Sequence, residues 1–207
     1  PPLPDGELTE LVQGAFLRYQ ETRTKGAVID MPTAFIEYKQ YIESLKSRKI
    51  RTGFDFLDSK MRGILPGETC CVVGKTSVGK SAFLQNIGMY HASTAKTPVL
   101  FFSLEMPIVA VFERAMQYDS GTPGTQIEEA FVRGAPEIHY QAQQTVKIYG
   151  DFYTVTRGGL NVAAIGGITR ECEAMIGRKT GLILIDYLGL VNERGKDLYE
   201  QVSRVAR

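Results

Sequence analysis

Gly74-Lys75-Thr76-Ser77-Val78-Gly79-Lys80-Ser81 fits the pattern G-x-x-x-x-G-K-[ST] without a departure. What flanks it matters as much as the match. Residues 69–73, Thr-Cys-Cys-Val-Val, are β-prone and follow the turn residues Pro66-Gly67, so they predict a short buried strand. Residues 82–91 are apolar enough for a helix packed on a sheet. Strand, glycine loop and helix in that order is the setting of a phosphate site. Glycine at 74 and 79 lets the backbone approach an anion with no Cβ in the way. The loop's N–H groups and the free N–H groups of the helix start then converge on that anion. A lysine at Lys80 can reach β- and γ-phosphates, and a Ser81 hydroxyl can ligate Mg²⁺. The expectation is a nucleotide site formed by residues 74 to 81, taking ATP or another nucleoside triphosphate with Mg²⁺.

The composition permits this and narrows the rest. The 207 residues suffice for one ordinary domain with an N-terminal appendage, and 43% hydrophobic against 23% charged residues suits a packed globular core. A formal net charge of +1 means that any nucleic-acid contact would use a local patch rather than overall basicity. Three cysteines make neither a disulfide framework nor a metal site; Cys70 and Cys71 are expected in the buried strand and Cys172 in a helix. No run approaches the roughly 18 apolar residues of a membrane span, and the N-terminus does not read as a signal peptide. The expected location is the cytoplasm, with no membrane partner.

Outward from the loop, the pattern alternates. Residues 97–103 form a continuous apolar run, expected to be a strand buried on both faces, and Pro107 suits the start of a helix at 108–118. Short helices are expected at 126–134 and 137–144, and a strand within 147–155. Asn161 is placed to cap a helix reaching residue 178, with Val162, Ile165, Cys172 and Met175 inward; its Gly166-Gly167 pair costs about 1 kcal/mol per glycine. Residues 182–185 are an aliphatic strand running into Asp186. Toward the N-terminus, helices are expected at 7–23, capped by Asp5, and at 34–46, capped by Thr33, with Phe35, Tyr38, Ile42 and Leu45 on one stripe. Those stripes would pack either on their own domain or on a neighbouring subunit. The basic stretch 46–51 is a solvated linker or a phosphate-contacting patch. His91 and His139 are expected on helix faces, and Phe54, Phe56, Phe101 and Phe102 in the core. Strands alternating with helices predict a parallel sheet flanked on both faces, with ligands at the carboxyl ends of the strands.

Two acids stand at such ends. Asp186 can hold Mg²⁺ opposite Ser81, usually through water. Glu105 has the reach to orient and deprotonate an attacking water, or it is simply a carboxylate favoured at a helix start.

Four segments, taken together, resemble one family. Phe102-Ser103-Leu104-Glu105-Met106, Ile185-Asp186-Tyr187-Leu188-Gly189-Leu190, the entry Thr52-Gly53-Phe54 to Leu57-Asp58, and Leu65-Pro66-Gly67-Glu68 are similar to motifs of the DnaB-type replicative helicases. The resemblance covers residues 52–207. It implies a RecA-like P-loop NTPase core with a mainly parallel sheet, preceded by N-terminal linker helices in 1–51. It implies Glu105 and Lys80 as catalytic residues, and Ser81 and Asp186 as the metal side. It further implies a homo-hexameric ring of the 5′–3′ class that acts on single-stranded DNA at a replication fork, with primase and a helicase loader as candidate partners and a place at the nucleoid or replisome. In such proteins the next strand with its polar sensor, the DNA-facing loops and the arginine finger would lie beyond Arg207, so 52–207 is expected to be an incomplete core.

Two other functions share these residues. One keeps the RecA-like core as a recombination or clock-type ATPase without strand separation. The other is a nucleotide-gated assembly module that is not an enzyme. A shared core does not choose between them.

Overall fold

The computed structural model describes residues 30–192 apart from 62 and 66, so the helix expected at 7–23 and the tail from 193 lie outside the described residues. The chain divides after Arg48 into two compact units. In the first, helix α1 (Met31–Arg48) begins two residues ahead of Thr33, which therefore lies inside the helix and is not its cap. Phe35, Tyr38 and Ile42 of its stripe are exposed, as are Met31 and Ile36, and the Lys39 ammonium sits 5.2 Å from the Phe35 ring centroid.

The second unit is built on a parallel sheet of β1 (Val99–Ser103), β2 (Phe152–Val155) and β3 (Leu182–Asp186), in the order β2-β1-β3. Val99 pairs with Phe152 on one side and with Leu182 on the other; the register ends with Ser103 beside Asp186. All five residues of the central strand are buried, the four apolar ones Val99 to Phe102 as expected of a strand covered on both faces. Alternation sorts them between two layers. Val99 and Phe101 pack with Ile87, Val111, Leu182 and Leu184 on one face, while Leu100 and Phe102 pack with Leu160, Ile165 and Cys172 on the other.

The helices on the first face are α3 (Lys80–Tyr90), continued by a π-helical turn His91–Ala95, and α4 (Ile108–Ser120). Helix α7 (Val162–Ile176) covers the second face, and Asn161 caps it as the sequence implies, its Oδ1 accepting from the Ala164 N–H at 2.8 Å. Helices α5 (Gly124–Val132) and α6 (Pro136–Ile148) join α4 in a side cluster of Met116, Ile127 and Ile138.

Several expectations fail for one reason: periodicity names a face but not what covers it. Val162 and Met175 of α7 are exposed, and so is Phe56 in the short helix α2 (Asp55–Lys60). Residues 69–73 form no strand; Cys70 and Cys71 are exposed and Val73 is 88% exposed. A β-prone run becomes a strand only through a ladder with a neighbour, and this one pairs with none of the three described strands. Ile183 on β3 is likewise exposed although the strand is aliphatic.

Candidate functional site

The direction of α3 decides where the glycine loop lies. Near its far end, a Cβ on Gly88 would come within 2.6 Å of Leu184, 2.7 Å of Phe152 and 3.2 Å of Val99. Val99 and Phe152 open their strands, so this end of α3 lies over the amino-terminal part of the sheet. Closer to its start, Gln85 Nε2 donates to the Val111 carbonyl at 2.7 Å, in the first turn of the helix that follows the carboxyl end of β1. Helix α3 therefore runs antiparallel to the strands. Its first residues, Lys80 and Ser81, lie toward the carboxyl ends of the strands, where β1 leads into Glu105 and β3 ends at Asp186.

Within the loop, Gly74 and Lys75 are irregular, and the chain turns through Thr76, Ser77, Val78 and Gly79. Ser77 and Gly79 have positive φ, 66° and 94°. Gly79 is the residue that caps α3, and its carbonyl accepts from the Phe83 N–H at 2.9 Å. Only glycine holds that left-handed geometry without steric cost. The loop is exposed up to Gly79, Lys80 and Ser81 are half-buried, and Lys80 Nζ donates to the Lys75 carbonyl at 2.6 Å. That hydrogen bond is local and exposed, so an anion entering the loop has only to displace one lysine–carbonyl contact.

The two acids occupy contrasting environments. Asp186 is 4% exposed, and its Oδ2 is buried without a hydrogen-bond partner among the described residues. A buried carboxylate oxygen left unsatisfied is costly, and a cation or a cation-bound water is the kind of group that satisfies it. That donor set, one carboxylate and one serine hydroxyl, suits Mg²⁺, which takes few protein ligands and keeps several waters. No cluster of three His, Cys, Asp or Glu side chains capable of a protein-only metal site occurs among the described residues. Glu105 is exposed. Its loop is joined to Asp186 by the Leu104 N–H, which donates to the Asp186 carbonyl at 2.8 Å.

The segment 52–58 packs along α3, Gly53 against Tyr90 near its end and Phe54 against Phe83 in its first turn. Phe54 stacks on Phe83 with centroids 5.1 Å apart. The Asp58 carboxylate accepts from the Thr52 N–H at 2.8 Å, the Thr52 hydroxyl at 2.9 Å and the Gly53 N–H at 3.1 Å. Burial alone would push Asp58 up, but these donors and the Arg51 charge together hold it below the usual carboxylate range. His91, in the π-helical turn that continues α3, is buried with Nδ1 unpartnered among the described residues, and burial pushes it down.

Sequence reasoning missed two buried polar residues here. Gln85 is fully buried and links α3 to α4; its signal was an amide inside an otherwise apolar helix. Ser103 is 1% exposed and its hydroxyl donates to the Met106 carbonyl at 2.9 Å; its signal was a serine closing an apolar strand just before an acid.

A parallel sheet covered by helices on both faces, with a glycine loop opening α3 at the carboxyl edge, is a RecA-like α/β fold. Two solved structures share it: an ATPase domain (TM-score 0.69, 21% identity, 85% of this chain and 64% of that one) and a DnaB-like replicative helicase described with its interactions with primase (TM-score 0.69, 21% identity, 94% and 48%). The chain belongs to the DnaB-like helicase C terminal domain family, whose model matches residues 49–207. Among curated relatives, the replicative DNA helicase DnaB of Nostoc sp. is 26% identical over 178 residues, 84% of this chain and 20% of that protein. The DnaB of Pasteurella multocida is 29% identical over 150 residues, 70% and 32% respectively. The chain thus spans a third or less of the length of these two relatives.

Proposed function

We propose that this chain is the ATP-hydrolysing motor portion of a replicative DNA helicase. What supports the reading is the direction of α3, whose start at Lys80 and Ser81 points toward the same ends of the strands that lead into Glu105 and Asp186, two segments joined by the Leu104–Asp186 hydrogen bond. The loop N–H groups and Lys80 bind the phosphates of ATP and hold them in line. The Ser81 hydroxyl and, through water, Asp186 would hold Mg²⁺, which would supply charge neutralisation at the phosphate oxygens. Glu105 orients a water and takes its proton as the water oxygen bonds to the γ-phosphorus. The bond from that phosphorus to the bridging oxygen breaks, leaving ADP and inorganic phosphate. Lys80 stabilises the charge that develops on the leaving side.

In this reading residues 1–51 are the helical linker and 52–207 the ATPase core. The ring is a homo-hexamer on single-stranded DNA, of the 5′–3′ class, with hydrolysis sites completed by a neighbour's arginine. Its setting is the replication fork in the cytoplasm, with primase and a loader as partners. No described helix is long and apolar enough to cross a membrane. Self-assembly has apolar surfaces to cover: Phe35 and Tyr38 on α1 and, separately, the groove between α4 and α5 that includes Ile108, Phe112 and Phe131.

The test is ATP turnover against protein concentration, with and without a single-stranded oligonucleotide, for the native protein and Glu105→Gln. Specific activity should climb with concentration and with DNA, and Glu105→Gln should bind ATP yet fail to turn it over. Turnover that persists in Glu105→Gln would remove the catalytic role. A DNA-independent native rate would favour the ATPase without unwinding or the assembly module.

A further inference from the structure

Glu105 owes its position to the turn that carries it. Among the described residues it makes no hydrogen bond or ion pair of its own. Its two neighbours are anchored on opposite faces of the sheet. Leu104 packs with the Leu100 and Phe102 cluster, and Met106 packs with the Val99 and Phe101 cluster. Leu104 is further held by its N–H to Asp186. Across the base of this turn runs one side-chain hydrogen bond, from Ser103 Oγ to the Met106 carbonyl at 2.9 Å. Ser103 is 1% exposed and lies in register with Asp186, so the donor sits at the paired end of the central strand.

We propose that Ser103 is a positioning residue for hydrolysis. Its hydroxyl closes the Ser103–Met106 turn and so sets the direction in which Glu105 presents its carboxylate to the attacking water. Ser103 is buried and acts through the turn it closes rather than through direct contact. The proposal rests on the reading of Glu105 as the water-activating acid. A bland alternative has the same geometry: a buried serine that merely satisfies its own hydroxyl while filling space. The two differ in what they do to kcat. A water-orienting carboxylate displaced by about 1 Å can lose on the order of a hundredfold in rate, whereas a space-filling serine acts on folding and on nucleotide affinity without that selectivity.

The experiment compares Ser103→Ala, Ser103→Cys and Ser103→Thr in the assembled protein, reading kcat and KM for ATP, ADP affinity and thermal unfolding, with Glu105→Gln alongside. Threonine keeps the donor. Cysteine keeps the volume but is a poor donor. The expected result is a loss in kcat of at least about tenfold for Ala and Cys, with KM and ADP affinity unchanged and kcat largely retained in Thr. If Ala does not fold, the Cys and Thr pair decides by the same criterion. Full kcat in Ser103→Cys would overturn the proposal, as would affinity and kcat falling together in every variant. If Glu105→Gln stops turnover while the Ser103 variants do not slow it, the Ser103 role fails and the catalytic reading stands. If Glu105→Gln keeps turnover, both fail.

Discussion

The Leu104 N–H donates to the Asp186 carbonyl at 2.8 Å, one residue past the last register pair of β1 and β3. The two candidate acids therefore sit on segments that cannot shift independently without breaking a sheet-end hydrogen bond. Yet their side chains are treated differently, one exposed and one buried with an oxygen unpartnered among the described residues.

That contrast makes Asp186 separable from Glu105 by experiment. Asp186→Asn should raise the Mg²⁺ concentration needed for half-maximal turnover, with excess Mg²⁺ restoring part of the rate. Because the substitution also removes a buried, uncompensated charge, thermal stability without nucleotide should hold or rise. An unchanged Mg²⁺ titration would dissociate Asp186 from the metal.

At Gly88, α3 approaches the sheet closely. Alanine there would put its Cβ 2.6 Å from Leu184 and 2.7 Å from Phe152, so Gly88→Ala should destabilise the fold by about 1–3 kcal/mol. Urea unfolding should show a lower midpoint at unchanged slope. A midpoint equal to the native one would mean that α3 lies farther from β3.

His91 should make the fold sensitive to mild acid. Burial holds its imidazole neutral and its folded pKa below the ordinary 6.5, despite an opposing pull from Asp58. As the pH falls past 6.5, the unfolded chain takes up the proton first, so stability full above that value is lost down through the folded pKa. The difference in unfolding free energy between the native protein and His91→Gln should shrink over that window. A difference that stays constant from neutral pH down through it would overturn the assignment.

Thiol accessibility tests the irregular path of residues 69–73. Cys70 and Cys71 are exposed, while Cys172 is buried, with its thiol pushed up by burial and by Glu173. A thiol reagent should titrate two cysteines quickly in the native chain and the third only on unfolding. One fast thiol, or none, would mean that the segment is covered in solution.

Much of the candidate site is readable without a structure. The loop at 74–81 requires specific residues at fixed offsets, and Gly79 adopts the left-handed conformation that only glycine holds cheaply. Asn161 caps α7 through its own side chain, and the run at 99–102 is apolar at every position because both faces are covered. Glu105 and Asp186 were identifiable as strand-end acids. Their difference in burial was not, because it depends on which layers close over each strand.

The sequence by itself determined the features whose cause lies within a few residues of the chain: the phosphate-type loop, the cap at Asn161, the fully buried β1 and the alternation of strand and helix. Their energetics are local, set by φ, by near hydrogen bonds and by side-chain period. Only the tertiary structure decided that residues 69–73 pair with no described strand, that Phe56 and Met175 face outward, and that Ser103 reaches Met106 beneath Glu105. Those outcomes depend on surfaces brought together from distant parts of the chain, and a pattern of residue types carries no term for a partner it does not contain.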